Sequence, residues 1–195
     1  MTFISNFDVN NNLIVYNPNL ITEVESQEKN ILDRNSIYYV INSRQDLKTT
    51  TAFLKMHSLT RVTNAIDITV VDKINYEFRF NVNYQFLSPV INTRFVVSTW
   101  VSESTSLLSL QTIYPAFNWA EREVWDMYGI FITKHPDLRR ILTDYGFVGY
   151  PLRKDFPLSG FKETQYEDSI KQVEYSNAEL TQSYRLLSFS SAWSN

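Results

Sequence analysis

There is no cysteine anywhere in the 195 residues. Disulfides, thiolate catalysis and every cysteine-ligated iron–sulfur cluster are therefore excluded from this polypeptide. Histidine is almost as scarce, with only His57 and His135. A zinc site needs several converging ligands, commonly two histidines one helical turn apart with a third ligand nearby, and two histidines in different elements do not supply them. No run approaches the roughly 20 apolar residues that a membrane helix needs. Basic charge is not in excess: 18 Lys and Arg against 21 Asp and Glu leave a net charge of −3, without the footprint of a general nucleic-acid surface. The first basic residue is Lys29, so the start of the chain has neither a charged signal n-region nor an Arg-rich transit sequence. A phosphate-cradling loop is missing as well, because Gly146-x-x-Gly149 follows no strand-to-helix pattern and lacks a Walker lysine. The serine-rich stretch Ser188 to Ser194 has no nucleophile-elbow context.

What is present can build a core, since 44% of the residues are hydrophobic and 15% aromatic. The length fits one domain with an extension. After an Asn-rich start, a helix signal runs from Asn19 through Leu20, Val24 and Ile31, with Glu23, Glu25 and Glu28 placed early, where the helix dipole favours them. Ile37 to Ile41 is a β-branched and aromatic strand, and Asp46 is placed to cap a helix over Leu47 to Ser58 with Leu47, Thr51 and Leu54 on one face. Ile66 to Val71 reads as a strand. Asn75 to Tyr84 alternates cleanly, with Tyr76, Phe78, Phe80, Val82 and Tyr84 on one side, which predicts a half-buried strand. Arg94 to Val101 is a further strand, and Ser104 to Ile113 reads as a short helix. Clustered strands flanked by helices predict an α+β fold, a mixed or antiparallel sheet of about four or five strands followed by an extended C-terminal arm. The expected divisions are an α+β domain over 1–117, a helix with Gly/Pro-rich turns over 118–160, and the arm over 161–195. In the arm Tyr166, Tyr175, Tyr184, Phe189 and Trp193 stand isolated in polar sequence, which suits anchors for another surface.

Glycine and proline are rare but gathered. All four glycines (Gly129, Gly146, Gly149, Gly160) and four of the six prolines (Pro115, Pro136, Pro151, Pro157) lie in or beside Asn118 to Leu158, which marks that stretch as one of fixed turns. It opens with Asn118-x-x-Glu121, a capping-box pattern predicting a helix to about Tyr128, with Arg122 and Asp126 paired at i,i+4 and Gly129 at C′. Glu121, Trp125 and Tyr128 share one face and Glu123 falls on another. Glu121, Glu123, Asp126 and His135 together invite a reading as an acid–base or metal cluster. The carboxylates are better read as partners of Arg122, Arg139, Arg140 or Arg153, and His135 as a turn residue bonded to backbone or a carboxylate, so no catalytic or metal-binding residue is assigned.

The pattern E-R-E-x-x-D-[hydrophobic]2-x6-H-x3-R-x-I-L, carried here by Glu121, Arg122, Glu123, Asp126, His135, Arg139, Ile141 and Leu142, resembles the signature of the 30 kDa subunit of respiratory complex I, the NADH:quinone oxidoreductase. HPDLRRILTDYGFVGYPLRKDFPL continues the likeness, and the ending with Tyr184, Arg185, Phe189 and Trp193 is similar to that family's ending. The resemblance implies a core, cofactor-free subunit of the peripheral arm, in the quinone module, set against the 49 kDa-type subunit. FMN and iron–sulfur clusters would be carried by partners, with electrons passing from NADH to quinone and proton pumping elsewhere. Attachment to the membrane would come only through the complex, on the matrix side of the mitochondrial inner membrane or the cytoplasmic face of a bacterial one. Interface residues expected on this basis are Glu121, Arg122, Glu123, Asp126, His135, Arg139, Arg140, Arg153, Lys154, Tyr184, Arg185 and Trp193. The alternatives are the equivalent subunit of a related quinone- or ferredoxin-linked dehydrogenase or hydrogenase, and a standalone carboxylate–histidine enzyme.

Overall fold

A computed structural model describes the backbone of residues 23–25 and 36–41, and residues 46–183 and 185 in full. It divides into two compact units, with the boundary between Lys154 and Asp155.

The first unit is built on a five-stranded sheet of order β1-β2-β5-β4-β3. Its strands are β1 (Glu23–Glu25), β2 (Ser36–Ile41), β3 (Asn64–Asp72), β4 (Phe80–Ser88) and β5 (Thr93–Val101). Only β2 and β5 pair in parallel; the other neighbours are antiparallel. Strand β4 shows why the sheet has one buried face. Phe80, Val82, Tyr84 and Phe86 are buried while the intervening residues are half-buried. Its register against β5 places Tyr84 opposite Val97 and Phe86 opposite Phe95, both also buried. Full burial of one such side chain stabilises by about 1.5–3 kcal/mol, so this alternation determines which face is covered.

Two helices contribute to that core. The first, α1 (Asp46–Met56), buries Leu47, Thr50, Thr51 and Leu54. The second, α2 (Phe117–Tyr128), sets Phe117 edge-on to Tyr84 and Phe86 at 5.7 and 5.4 Å, and Tyr128 edge-on to Phe80 at 6.3 Å. Tyr114 joins the cluster and donates its hydroxyl to the Val62 carbonyl at 2.8 Å, linking the two helical regions. A small parallel pair, β6 (Leu107–Leu108) with β7 (Ile132–Thr133), brings the chain before α2 beside the chain after it.

Several sequence expectations are corrected. Glu23–Glu25 is a strand pairing antiparallel with β2, not helix; the early glutamates favour a helix dipole only weakly, and the β-rich partner prevails. The rest of that expected helix lies outside the described residues. The alternating run from Asn75 has the right phase and the wrong start. Residues 73–79 are a turn, Tyr76 and Phe78 are exposed, and the strand begins at Phe80. Asp72 and Arg79 close the turn with a two-pronged ion pair at 2.7 and 2.8 Å, and the Lys73 ammonium sits 4.7 Å from the centre of the Trp100 ring. Ser104 to Ile113 is not a helix; it forms β6 and a turn in which Leu110 accepts the Ile113 and Tyr114 amides. Helix α1 ends at Met56, and Asp46 is its first residue rather than a cap. In α2 the cap position is Ala116 without a side-chain bond, so Asn118 and Glu121 form no capping box.

The second unit contains an antiparallel hairpin, β8 (Lys162–Glu167) with β9 (Gln172–Asn177), where sequence alone suggested only an extended arm. Tyr166 and Val173 face each other across it, as do Thr164 and Tyr175, and these four side chains are exposed. Tyr184, Phe189 and Trp193 lie outside the described residues.

Gly129 ends α2 in the left-handed region at φ 74°, and a Cβ there would meet the Tyr150 ring at 2.5 Å. Gly146 has the same handedness at φ 72° but open space around it. Gly129→Ala is expected to cost about 2–4 kcal/mol in denaturant unfolding, and Gly146→Ala about 1–2 kcal/mol. Equal losses at the two sites would show that the Tyr150 contact is not a constraint.

Candidate functional site

Helix α2 sends three ionic side chains inward; one fastens the end of β6 and two fasten the 139–143 turn. Glu121 is wholly buried. Its Oε1 accepts the Leu110 amide at 2.7 Å and its Oε2 accepts the Ser109 hydroxyl at 2.6 Å, which fixes the end of β6. Burial pushes this carboxyl above its ordinary value of 4.5, while the Ser109 and Leu110 donors pull it back in part. His135 lies beside it with a buried ring, its Nε2 3.8 Å from Glu121 Oε2 and without a hydrogen-bond partner. The other ring nitrogen, Nδ1, accepts the Asp137 amide at 3.1 Å, so in the neutral ring the proton rests on Nε2 and faces the carboxylate.

Arg122, one residue on, donates from Nε to the Arg139 carbonyl at 3.1 Å and lies 4.8 Å from the centre of the Trp119 ring. Asp126 is the most heavily bonded of the three. Its Oδ2 accepts the Ile141, Leu142 and Thr143 amides at 3.2, 2.7 and 3.0 Å. Its Oδ1 accepts the Thr143 hydroxyl at 2.7 Å and lies 3.3 Å from Arg140 Nε. Burial alone would raise its pKa, but the hydroxyl and the three amides outweigh that and hold it below the usual carboxylate range. The expected Arg122–Asp126 pair is therefore not formed; both side chains reach the 139–143 turn instead.

The fastening continues down the chain. Arg140 donates to the Phe147 and Gly149 carbonyls at 2.7 and 2.5 Å. Its guanidinium lies 5.1 Å from the Tyr150 ring centre, and that of Arg153 4.5 Å. Arg153 donates to the Tyr128 carbonyl at 2.6 Å and pairs with Glu103. The Lys154 amide donates to Asp72 at 2.9 Å, which ties this segment to the end of β3. Arg79 beside Asp72 holds that carboxyl below its usual range, ahead of an opposing effect of burial.

The structure thus places Glu121, Arg122, Asp126, Arg140 and Arg153 in one internal network, with His135 against its Glu121 end. Glu123, Arg139, Lys154 and Arg185 are exposed, and Arg139 is paired with Asp137 at 2.7 Å. Sequence reasoning missed Asp72, Arg79, Glu103, Ser109, Thr143 and Tyr150. An Asp and an Arg bracketing the turn from 73 to 78 were a legible signal for the first two; Ser109 and Thr143 had none. Among the described residues no three His, Asp or Glu are grouped to hold a metal ion, and no helix is long and apolar enough to cross a membrane.

This is an α+β domain whose charged signature is directed at its own backbone. Residues 40–162 match the family described as the respiratory-chain NADH dehydrogenase 30 Kd subunit, and the chain belongs to that family. It is 50% identical over 141 residues to the potato (Solanum tuberosum) NADH dehydrogenase (ubiquinone) iron-sulfur protein 3, covering 72% of this chain and 74% of the relative. A subunit of the Rhizobium etli NADH-quinone oxidoreductase is 50% identical over the same share of this chain and 70% of its own length. Subunit 9 of the Prototheca wickerhamii NADH-ubiquinone oxidoreductase is 49% identical and covered over 73% of its length. A chain in the structure of an archaeal membrane-bound sulfane sulfur reductase superposes with a TM-score of 0.65 at 19% identity, covering 78% of this chain and 85% of that one, a likeness of fold.

Asp126→Ala is expected to destabilise the chain by about 3–5 kcal/mol at neutral pH, since it leaves three amides and the Thr143 hydroxyl without their acceptor. The pKa of Asp126 is lowered in the fold. Its stabilisation is therefore complete above the ordinary aspartate value of 3.8 and is lost as pH falls through the lower folded value. The gap between wild type and variant should narrow in acid unfolding below about pH 4. A gap independent of pH would contradict the assignment. Glu121 has the opposite sign: its contribution is complete below 4.5 and lost as pH rises through its raised folded value.

Proposed function

We propose that this chain is a core, cofactor-free subunit of the peripheral arm of proton-pumping NADH:ubiquinone oxidoreductase, respiratory complex I. It stands in the quinone module against the 49 kDa-type subunit. Family membership over residues 40–162, with about half the residues identical across most of the relatives' length, is the observation that carries this reading. The relatives' name includes iron-sulfur, yet these 195 residues contain no cysteine to ligate such a cluster. Cysteine-ligated iron–sulfur centres are accordingly assigned to partners, and FMN is assigned to them on the family resemblance alone. Glu121, Arg122 and Asp126 of α2 are committed to holding the fold, which supports binding and orientation of partners rather than bond-making.

Contact with partners falls to what remains outside: Glu123, Arg139, Lys154 and the arm over 161–195, whose hairpin exposes Tyr166 and Tyr175. A lone two-stranded hairpin is marginal in water, so a partner surface is the natural complement of its aromatic face. The complex would lie at the mitochondrial inner membrane on the matrix side, or at its bacterial counterpart. Identity near 50% to NADH dehydrogenase subunits favours this machine over related dehydrogenases and hydrogenases.

Native electrophoresis of gently solubilised membranes, stained for NADH oxidation and probed for this chain, is expected to show it in a very large NADH-oxidising band. A free monomer beside intact complex I would refute the reading. Truncation after Gly160 should leave a folded first unit that enters the band at least tenfold less; normal entry would remove the arm from the interface.

A further inference from the structure

The loop that the α2 network fastens is itself unusual in what it exposes. Leu142, Tyr145 and Val148 are 61%, 97% and 83% exposed, so three large apolar side chains crown a single turn. The turn is held at both ends. On one side Asp126 accepts the amides of Ile141, Leu142 and Thr143, and on the other Arg140 donates to the carbonyls of Phe147 and Gly149. Within it, the Phe147 amide donates to the Asp144 carbonyl at 3.2 Å, the Asp144 carboxylate accepts the Tyr145 amide at 2.8 Å, and Gly146 takes φ 72°. That is a turn with a left-handed third residue, and Tyr145 occupies its outer corner.

We propose that this tip is a preorganised hot spot, with Tyr145 and Val148 as anchors that enter an apolar pocket on a neighbouring protein subunit of the same enzyme. The inference rests on the subunit reading above and adds which residues anchor it. A rigid tip loses little conformational freedom on docking, and buried aromatic anchors dominate the energy of protein interfaces. The chemistry of the tip selects a protein over a lipid surface. From Ile141 to Leu152 there is no lysine or arginine, and the only charge is Asp144. Interfacial membrane segments combine large apolar residues with a basic face that attracts anionic lipid, and this tip has the opposite charge. The matching pocket is apolar, carries a hydrogen-bonding group for the tyrosine hydroxyl, and has no acidic rim facing Asp144.

The test uses the full chain in cells or organelles that lack their own copy. Wild type, Tyr145→Ser with Val148→Ser, and Met56→Ser, which removes a comparably exposed apolar side chain at the end of α1, are compared. Two quantities are read: thermal unfolding of the free chain, and the fraction entering the large NADH-oxidising band. The double variant should unfold as wild type does and enter the band about 10- to 100-fold less, with Met56→Ser unaffected. Normal entry of the double variant while wild type enters would overturn the hot spot and leave the subunit reading standing. Failure of wild type to enter would overturn both. Binding of the free wild-type chain to phosphatidylserine-containing vesicles, abolished by the double substitution, would overturn the proposal in favour of a membrane contact. Dimerisation of the free chain abolished in the same way would overturn it in favour of a second copy.

Discussion

The Asp126 carboxylate is enclosed by three consecutive backbone amides, one hydroxyl and the Arg140 guanidinium, with no exposure to solvent. Withdrawing a carboxylate from water costs several kcal/mol, and the cost is offset only where donors converge on both oxygens. That requirement acts as a geometric constraint. The segment from 139 to 143 belongs to no helix or strand, so its conformation follows from having to present three amides to one point. Arg140, held in that segment, then sets the positions of Phe147 and Gly149; Tyr150 lies within reach of both Arg140 and Arg153; and Arg153 returns to the last residue of α2.

Arginine suits these positions for a physical reason. Its planar fork donates in several fixed directions while its face rests on an aromatic ring, which a lysine ammonium cannot copy. Arg140 bonds two carbonyls and stands over Tyr150, and Arg153 bonds a carbonyl and a carboxylate over the same ring. Beneath this polar layer the sheet and helices form an ordinary aromatic core, with Phe80, Tyr84, Phe86, Phe95 and Phe117 fully buried. The core holds α2 on the sheet, and α2 in turn holds the loops. Partner recognition is left to exposed side chains on a frame that is already rigid.

Much of this was legible from residue order. Alternation in β4, the β-branched runs of β2 and β5, and the buried face of α1 all follow from period and side-chain type. Gly129 at the end of α2 was legible from its position. Two of the errors in α2 share one cause: local signals lost to partners elsewhere in the chain. Asn118 and Glu121 have the spacing of a capping box, but Ser109 and Leu110, just after β6, claim the carboxylate. Arg122 and Asp126 have the spacing of an ion pair, but the 139–143 backbone satisfies both. Such contacts depend on tertiary placement, and no periodicity announces them. Glu121, Arg122, Asp126, Arg140 and Arg153 thus bond the chain's own backbone, while Glu123, Arg139, Lys154 and Arg185 stay exposed.

Asp126 gives the 139–143 loop the rigidity of a regular element. Amide hydrogen exchange of the native chain tests this most directly, at Ile141, Leu142 and Thr143. Protection comparable to the interior of α2 is expected, because these amides open only when the network around Asp126 opens. Exchange at the rate of an unstructured loop, in a chain whose α2 amides remain protected, would contradict it.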